Sequence, residues 1–333
     1  MDEVVGRAAP ERFDVEVRCE GTPIVELVGQ QGAFLMTDAG ELLAVGSQAR
    51  GLTPFATEAG SPSARLALAS AAALDADGTP VLGTPGRAIA WFREGAWEVR
   101  THAAPVLALG SSRAGVVAGD SAGELTVFDG RRVAGLHAGE PVVEIRAAGD
   151  HLGALGADGG LWLTRWPHDD ASPLKSIDTR RIGRAFGLFS APQGFLGVFG
   201  VRNMAIIDLA RGRITAISPQ LGEIRAVITV EEGGGYAVLD DRGELRNVDT
   251  DLRHTRAIPL PSMGVAVVGV RAGVAGAMLV WNRNGELFHV FRNGLARRLA
   301  DEGVVLAYPT GEGSCVVVQS TTAGVRLRTE SWG

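Results

Sequence analysis

Four times this chain writes Gly-Glu-Leu after a short polar turn that follows an apolar run: Gly40-Glu41-Leu42, Gly123-Glu124-Leu125, Gly243-Glu244-Leu245 and Gly285-Glu286-Leu287. Looser copies fill the gaps at Gly86-Arg87-Ala88, Gly159-Gly160-Leu161, Arg202-Asn203-Met204 and Gly324-Val325-Arg326. The spacing is close to forty residues, roughly the period of arrays in which each unit is one supersecondary element. A unit that small cannot bury its own apolar face. It must stack on its neighbours, so the 333 residues read as a single domain, 1–333, rather than as two.

One unit can be read strand by strand. Pro105-Val106-Leu107-Ala108-Leu109 is an apolar run opened by proline, tolerated at the first residue of a strand because it has no N–H to give. A second run covers 114–119, Asp120-Ser121-Ala122-Gly123 turns, 124–129 is a third strand and 133–137 a poorer fourth. Four short strands per unit predict the blade of a radially repeated sheet. The expected fold is therefore all-β, a single β-propeller of eight units, with seven left open because the second unit (about 64–101) is long and irregular. The eighth unit has only three strands within 303–331. Residues 12–18 at the other terminus supply a fourth with the alternation of a half-exposed strand, and pairing them closes the ring. The charges fit that pairing: Asp14 and Glu16 share one face, Arg326 and Arg328 another.

Composition excludes several classes. Net charge is −6, Lys175 is the only lysine, and the arginine groups 180–184 and 297–298 are short, so no basic stripe for nucleic acid exists. The richness in alanine, glycine, valine and arginine suggests a high-GC genome. Residues 1–7 lack a basic-then-apolar leader, and the apolar stretch 264–281 is broken by Arg271 and glycines into two strands and a turn; a cytoplasmic location with no membrane span is expected. Cys19 and Cys315 fall in one blade on strands that are not neighbours, too far apart to bridge, and are expected as free thiols. No two histidines show ligand spacing. His168-Asp169-Asp170 and Asp75-Ala76-Asp77-Gly78 read as turns, because the later ligands of a metal loop are missing. No Gly-x-Ser-x-Gly occurs, and Gly233-Gly234-Gly235 lacks the Lys-Ser/Thr of a phosphate loop. No cofactor and no catalytic or metal-binding residue is assigned.

The stretch 118–129, Ala-Gly-Asp-Ser-Ala-Gly-Glu-Leu-Thr-Val-Phe-Asp, resembles the tryptophan–aspartate (WD) repeat propellers. Phe128-Asp129, Ile207-Asp208 and Val248-Asp249 stand where that family writes Trp-Asp, and its Gly-His pair is absent. The quinoprotein dehydrogenase propellers share a similar Asp-Gly-x-Leu turn, but they need export and a calcium site. The resemblance to WD propellers implies a protein–protein interaction platform. Propellers resembling this one in high-GC bacteria sometimes accompany MoxR-type ATPases and von Willebrand A domain proteins, which implies such a partner in a cytoplasmic bacterial complex.

In a blade of this type, the turn between second and third strands lies on the same face in every repeat. Asp38, Glu41, Asp120, Glu124, Asp158, Asp241, Glu244 and Glu286 then form an acidic ring, expected to attract a basic partner, set against the plainer reading that tight turns prefer aspartate. The alternative is a metal-dependent hydrolase or lactonase with carboxylates at the central channel. Its hint is Glu26 and Glu144, which stand at matching positions in first strands, each three residues after a proline. A small-ligand sensor using the channel as its pocket is a third reading.

Overall fold

The computed structural model describes residues 12–29, 32–39, 41–45, 50–51, 69–93, 96–112, 115–128, 136–165, 174–230, 235–259, 265–273, 276–291, 295–311 and 313–332. Residues 1–11, Gly40, the loop around 60–63, the cluster 168–170 and Gly233-Gly234 lie outside them.

Eight four-stranded antiparallel sheets form the ring. Blades 1 to 7 are simple up-and-down meanders over residues 23–51, 71–101, 106–137, 142–176, 185–217, 224–257 and 267–300. The expected eight-unit count is the observed one, and the second unit is a full blade. The burial of each strand follows from its radial position. Second strands lie between two neighbours within the sheet and between two blades, so Gly235–Asp240 and Met278–Asn282 are buried throughout and read as unbroken apolar runs. Outermost strands have one neighbour and face water: Thr255–Ala257 is exposed at all three positions. Blades approach closely enough that glycine is required between them. A Cβ on Gly110 of blade 3 would lie 2.4 Å from Ile145 Cγ2 of blade 4. The apolar stretch after residue 264 resolves into strands Val267–Ala272 and Met278–Asn282, and no helix of the described residues is long and apolar enough to cross a membrane.

Blade 8 is built from both termini. Strands Val304–Gly311, Ser314–Ser320 and Gly324–Ser331 are completed by Asp14–Arg18 on the outer edge. Asp14 lies opposite Arg328 and Glu16 opposite Arg326. The ion pair that forms is diagonal, with Arg326 Nε donating to Asp14 Oδ1 at 2.7 Å and holding that carboxyl below its usual range. Val17 turns inward to Val325 and Leu327, in the largest core cluster, which joins blades 7, 8 and 1. Both cysteines are free thiols, and burial pushes buried Cys315 up to about 12.

The repeated turn has a specific chemistry. At the end of the second strand, one side chain accepts the N–H four residues on and closes the turn. Asp120 does this for Glu124 (2.9 Å), Asp240 for Glu244 (2.8 Å), Asn282 for Glu286 (3.1 Å), Thr37 for Glu41 (3.1 Å) and Thr84 for Ala88 (3.2 Å). Blade 4 has glycine there, Gly156. The acceptor comes instead from Glu140 in the preceding linker, whose carboxylate takes the N–H groups of Asp158 (2.5 Å) and Gly160 (2.9 Å). A Cβ at position 156 would sit 2.3 Å from the Glu140 carboxyl carbon, so the two solutions exclude each other. Glu140→Ala and Gly156→Asp are each expected to cost about 1–2 kcal/mol. The double variant, which restores the turn used by blades 3 and 6, is expected to regain about 1 kcal/mol over their sum, readable in a chemical-denaturation cycle. Strict additivity there would reject the exchange. Asp75-Ala76-Asp77-Gly78 is a plain hairpin turn: Asp75 Oδ1 accepts from Asp77 and Thr79 N–H, and Gly78 has a φ of 78°.

Candidate interaction face

The turns just described share one face of the disc with the linkers that enter each inner strand. Their backbones bond to one another: Asp38 N–H to Thr22 O, Ser121 to Pro105 O, Ala157 to Pro141 O, Asp241 to Glu223 O and Arg283 to Ala266 O. On this face the inner strands do something the sequence does not announce. The first strand residue pairs with the turn residue (Val106 with Asp120, Val142 with Gly156, Val267 with Asn282), and the register then slips by one. The slip occurs in seven blades, blade 2 being the exception, and throws out Ile24, Leu107, Val143, Phe186, Arg225, Val268 and Val305. A bulge leaves its extra residue unpaired and re-aims its side chain. Here the residue before it is buried and the bulged one is not: Val142 is 0% exposed and Val143 43%, Val267 2% and Val268 43%. Ile24 at 51% and Phe186 at 52% complete an apolar collar at the channel mouth, with the Arg184 guanidinium 5.4 Å from the Phe186 ring centroid.

The acidic turns do not form an unbroken ring. Asp120 is fully buried and faces inward, a correction to its place in that ring. The cause is its capping work: Oδ1 takes the Ala122 and Glu124 N–H groups, and Oδ2 lies 3.1 Å from His102 Nε2. His102 sits in the linker that enters the inner strand of blade 3, preceded by Thr101. No motif in the sequence flags it, because its partner Asp120 lies 18 residues on. The remaining seven lie on the face in different states. Asp38 and Glu41 accept the Thr22 and Glu20 N–H groups, each at 2.8 Å. Glu124 meets His137 at 3.1 Å, Glu244 meets Arg246 at 2.7 Å, and Glu286 holds Asn282 (2.6 Å) and Arg298 (3.2 Å). Asp158 and Asp241 are exposed. The carboxylates concentrate on one arc, from Asp241, Glu244 and Glu286 of blades 6 and 7 through Asp301 and Glu302 to Glu20, Asp38 and Glu41 of blade 1. Blade 5, adjoining the end of that arc, carries exposed Arg180, Arg181, Arg184 and Arg202.

Inside the channel, Glu26 and Glu144 are not at matching positions. Pro23 is itself the first strand residue, paired with Thr37. Pro141 precedes its strand, where Val142 pairs with Gly156. The two glutamates are therefore one residue out of step and point to opposite neighbours. Glu26 of blade 1 reaches across blade 8 to Arg271 of blade 7, which donates through Nε and, at 2.7 Å, Nη2. Glu144 accepts the Leu188 N–H of blade 5 at 2.9 Å and lies 3.4 Å from Arg146. Burial pushes its carboxyl above the usual range, which that backbone bond and Arg146 partly offset. Among the described residues, no three His, Cys, Asp or Glu side chains are placed to hold a metal. The cluster 168–170 lies outside them.

Ring, blade and turn define an eight-bladed, WD-repeat-like β-propeller. The solved structures similar to it include the Saccharomyces cerevisiae protein Sqt1 (TM-score 0.70, 13% identity, over 97% of this chain and 100% of that one). The β-propeller domain of Myceliophteria thermophila Cps50 (Swd1) matches at TM-score 0.54 and 12% identity, over 80% of this chain and 97% of that one. A computationally designed protein, Ika8, matches at TM-score 0.70 and 12% identity, over 96% and 99%. The first two are WD-repeat propellers, and identity this low shows a shared fold. No protein-family model matches the sequence, and no curated protein does.

Proposed function

We propose that this propeller is a non-catalytic protein–protein interaction scaffold whose partner docks on the turn face. The observation that carries the reading is the apolar collar: repeated bulges hold Ile24, Val143, Phe186 and Val268 out of the core at one channel mouth. Beside it, the arc of carboxylates from Asp241 to Glu41 favours a partner with a basic surface, and opposite charge speeds docking in a salt-dependent way. Of the ring first read from the sequence, Asp38, Glu41, Asp158, Asp241, Glu244 and Glu286 remain in the proposed contact, with Glu124 at its margin. A cytoplasmic bacterial complex is the proposed setting, and the ATPase or von Willebrand A class implied by the resemblance is the first partner class to test.

The test compares the tagged protein with a Phe186→Asp/Val268→Asp variant in pull-downs from native extract, at low and high salt, followed by titration with the partner recovered. Both residues are exposed, so the variant is expected to melt as the original does. Its partner affinity is expected to fall by about tenfold or more, since a few buried contacts carry most of an interface. High salt should weaken the original complex as well. A partner retained equally by both forms would reject the collar as the contact.

A further inference from the structure

On the opposite face a cleft of about 560 Å³ opens between blades 5 and 6, within the several-hundred Å³ range of small-molecule sites. Its walls are Phe195, Ile206 and Ile217 of blade 5, with Tyr236 of blade 6 on the other side. Two local departures from regular structure shape it. In the outermost strand of blade 5, the register slips between Ile206 and Ile207 and expels Thr215 to the rim. In blade 6, the turn after the third strand is capped by Asp249, whose Oδ1 takes the Arg253 and His254 N–H groups, and it drives Leu252 into the core at a φ of 60°. Leu252 is fully buried, and apart from Arg87 it is the only non-glycine described residue with positive φ. A bulky side chain pays for that conformation in strain, and such strain gathers at ligand clamps.

The strain has a consequence for its neighbours. With Leu252 pointing in, Asp251 and Arg253 point out over the cleft, both exposed and lining it, with neither in an ion pair among the described residues. The wall supplies a third polar group. Tyr236 is 1% exposed, packed edge-on against Phe189 with ring centroids 5.2 Å apart, and lines the cleft. An apolar hole, an exposed carboxylate, an exposed guanidinium and a tyrosine thus converge.

We propose that the cleft binds a small zwitterionic ligand with an apolar side chain, an apolar α-amino acid or a short peptide of such residues. Arg253 takes the carboxylate, Asp251 the ammonium, and the side chain enters between Phe195, Ile206 and Ile217 with Tyr236 hydrogen-bonding the ligand. The site lies on the face opposite the collar and does not depend on partner docking. Calorimetric titration of the full chain with free phenylalanine, free leucine, their N-acetyl and amide derivatives, and the Phe–Leu dipeptide tests it. Binding of a free form at about 1 mM or tighter, weakened about tenfold by either cap, is the expected result. Preference for the amino acid or for the dipeptide assigns the source. Arg253→Gln and Tyr236→Phe are expected to weaken binding about tenfold while leaving the ligand-free melting temperature unchanged. No heat with any of these ligands at about 10 mM would overturn the proposal, as would unchanged affinity in both variants.

Discussion

Removing residues 1–18 is expected to lower the melting temperature by about 8 °C and to leave a chain prone to association. The strand Asp14–Arg18 contributes little by charge. The Asp14–Arg326 pair is half-exposed at both ends, and such pairs are worth about 0–1 kcal/mol. Its weight lies in what it covers. Val17 is 6% exposed, Val325 1% and Leu327 0%, and Phe13 and Val15 pack on the same cluster. Losing three of these side chains and uncovering the other two costs about 6 kcal/mol at the usual value per buried apolar group. With entropy scaling by chain length, that is about 8 °C in a chain of this size. The truncation also leaves the last strand as an open sheet edge, a template for pairing with another chain. Differential scanning calorimetry and light scattering check both effects. A truncated protein that melts like the intact one and stays monodisperse would show that the ring does not need this closure. Asp14→Ala is the control, with an expected change of about 0.5 kcal/mol.

The second large effect is expected at a residue first read as part of a surface. Asp120→Ala should destabilise the protein by about 3 kcal/mol, because it removes the acceptor of two turn N–H groups and of the His102 ring at a position with no solvent access. Asp120→Asn should cost about 1 kcal/mol or less. Blade 7 already uses asparagine there, with Asn282 Oδ1 accepting the Asn284 and Glu286 N–H groups in the same geometry. Denaturant midpoints of the two variants decide between a cap and a contact residue. Equal losses for alanine and asparagine would mean that the charge, and not the turn, is what position 120 supplies. The contrast with Asp241 is instructive, since it is exposed and its replacement should change stability by less than about 0.5 kcal/mol.

Much of the ring was legible because it is local. A Gly-Glu-Leu turn every forty residues, proline at strand starts and glycine at positive φ each express chemistry within a few residues, and Gly123, Gly243 and Gly285 indeed hold φ between 76° and 86°. Even the closing strand could be read, from a missing fourth strand at one end and a surplus one at the other. The interaction face was legible only in part. An aspartate in a tight turn looks the same in sequence whether its carboxylate faces water, as at Asp38 and Asp241, or folds under the turn, as at Asp120 and Asp240. Counted from the prolines Pro23 and Pro141, Glu26 and Glu144 stand at equal distances in the sequence. The origin is the residue that pairs with the turn, and a single-residue offset sends a strand side chain to the other side.

The amino-acid sequence by itself determined the repeat, the order of strands and the place where the ring closes, because periodic turns and apolar runs act at short range, while the structure decided eight blades over seven. Tertiary structure alone decided which side chains reach the surface. The collar exists because in seven blades the inner strand bonds both to its turn and to its neighbouring strand, and one residue is expelled to satisfy both. The cleft exists because Leu252 is held in a strained conformation by packing from two blades. The first depends on register between paired strands of one blade and the second on packing between neighbouring blades, and no pattern along the chain records either.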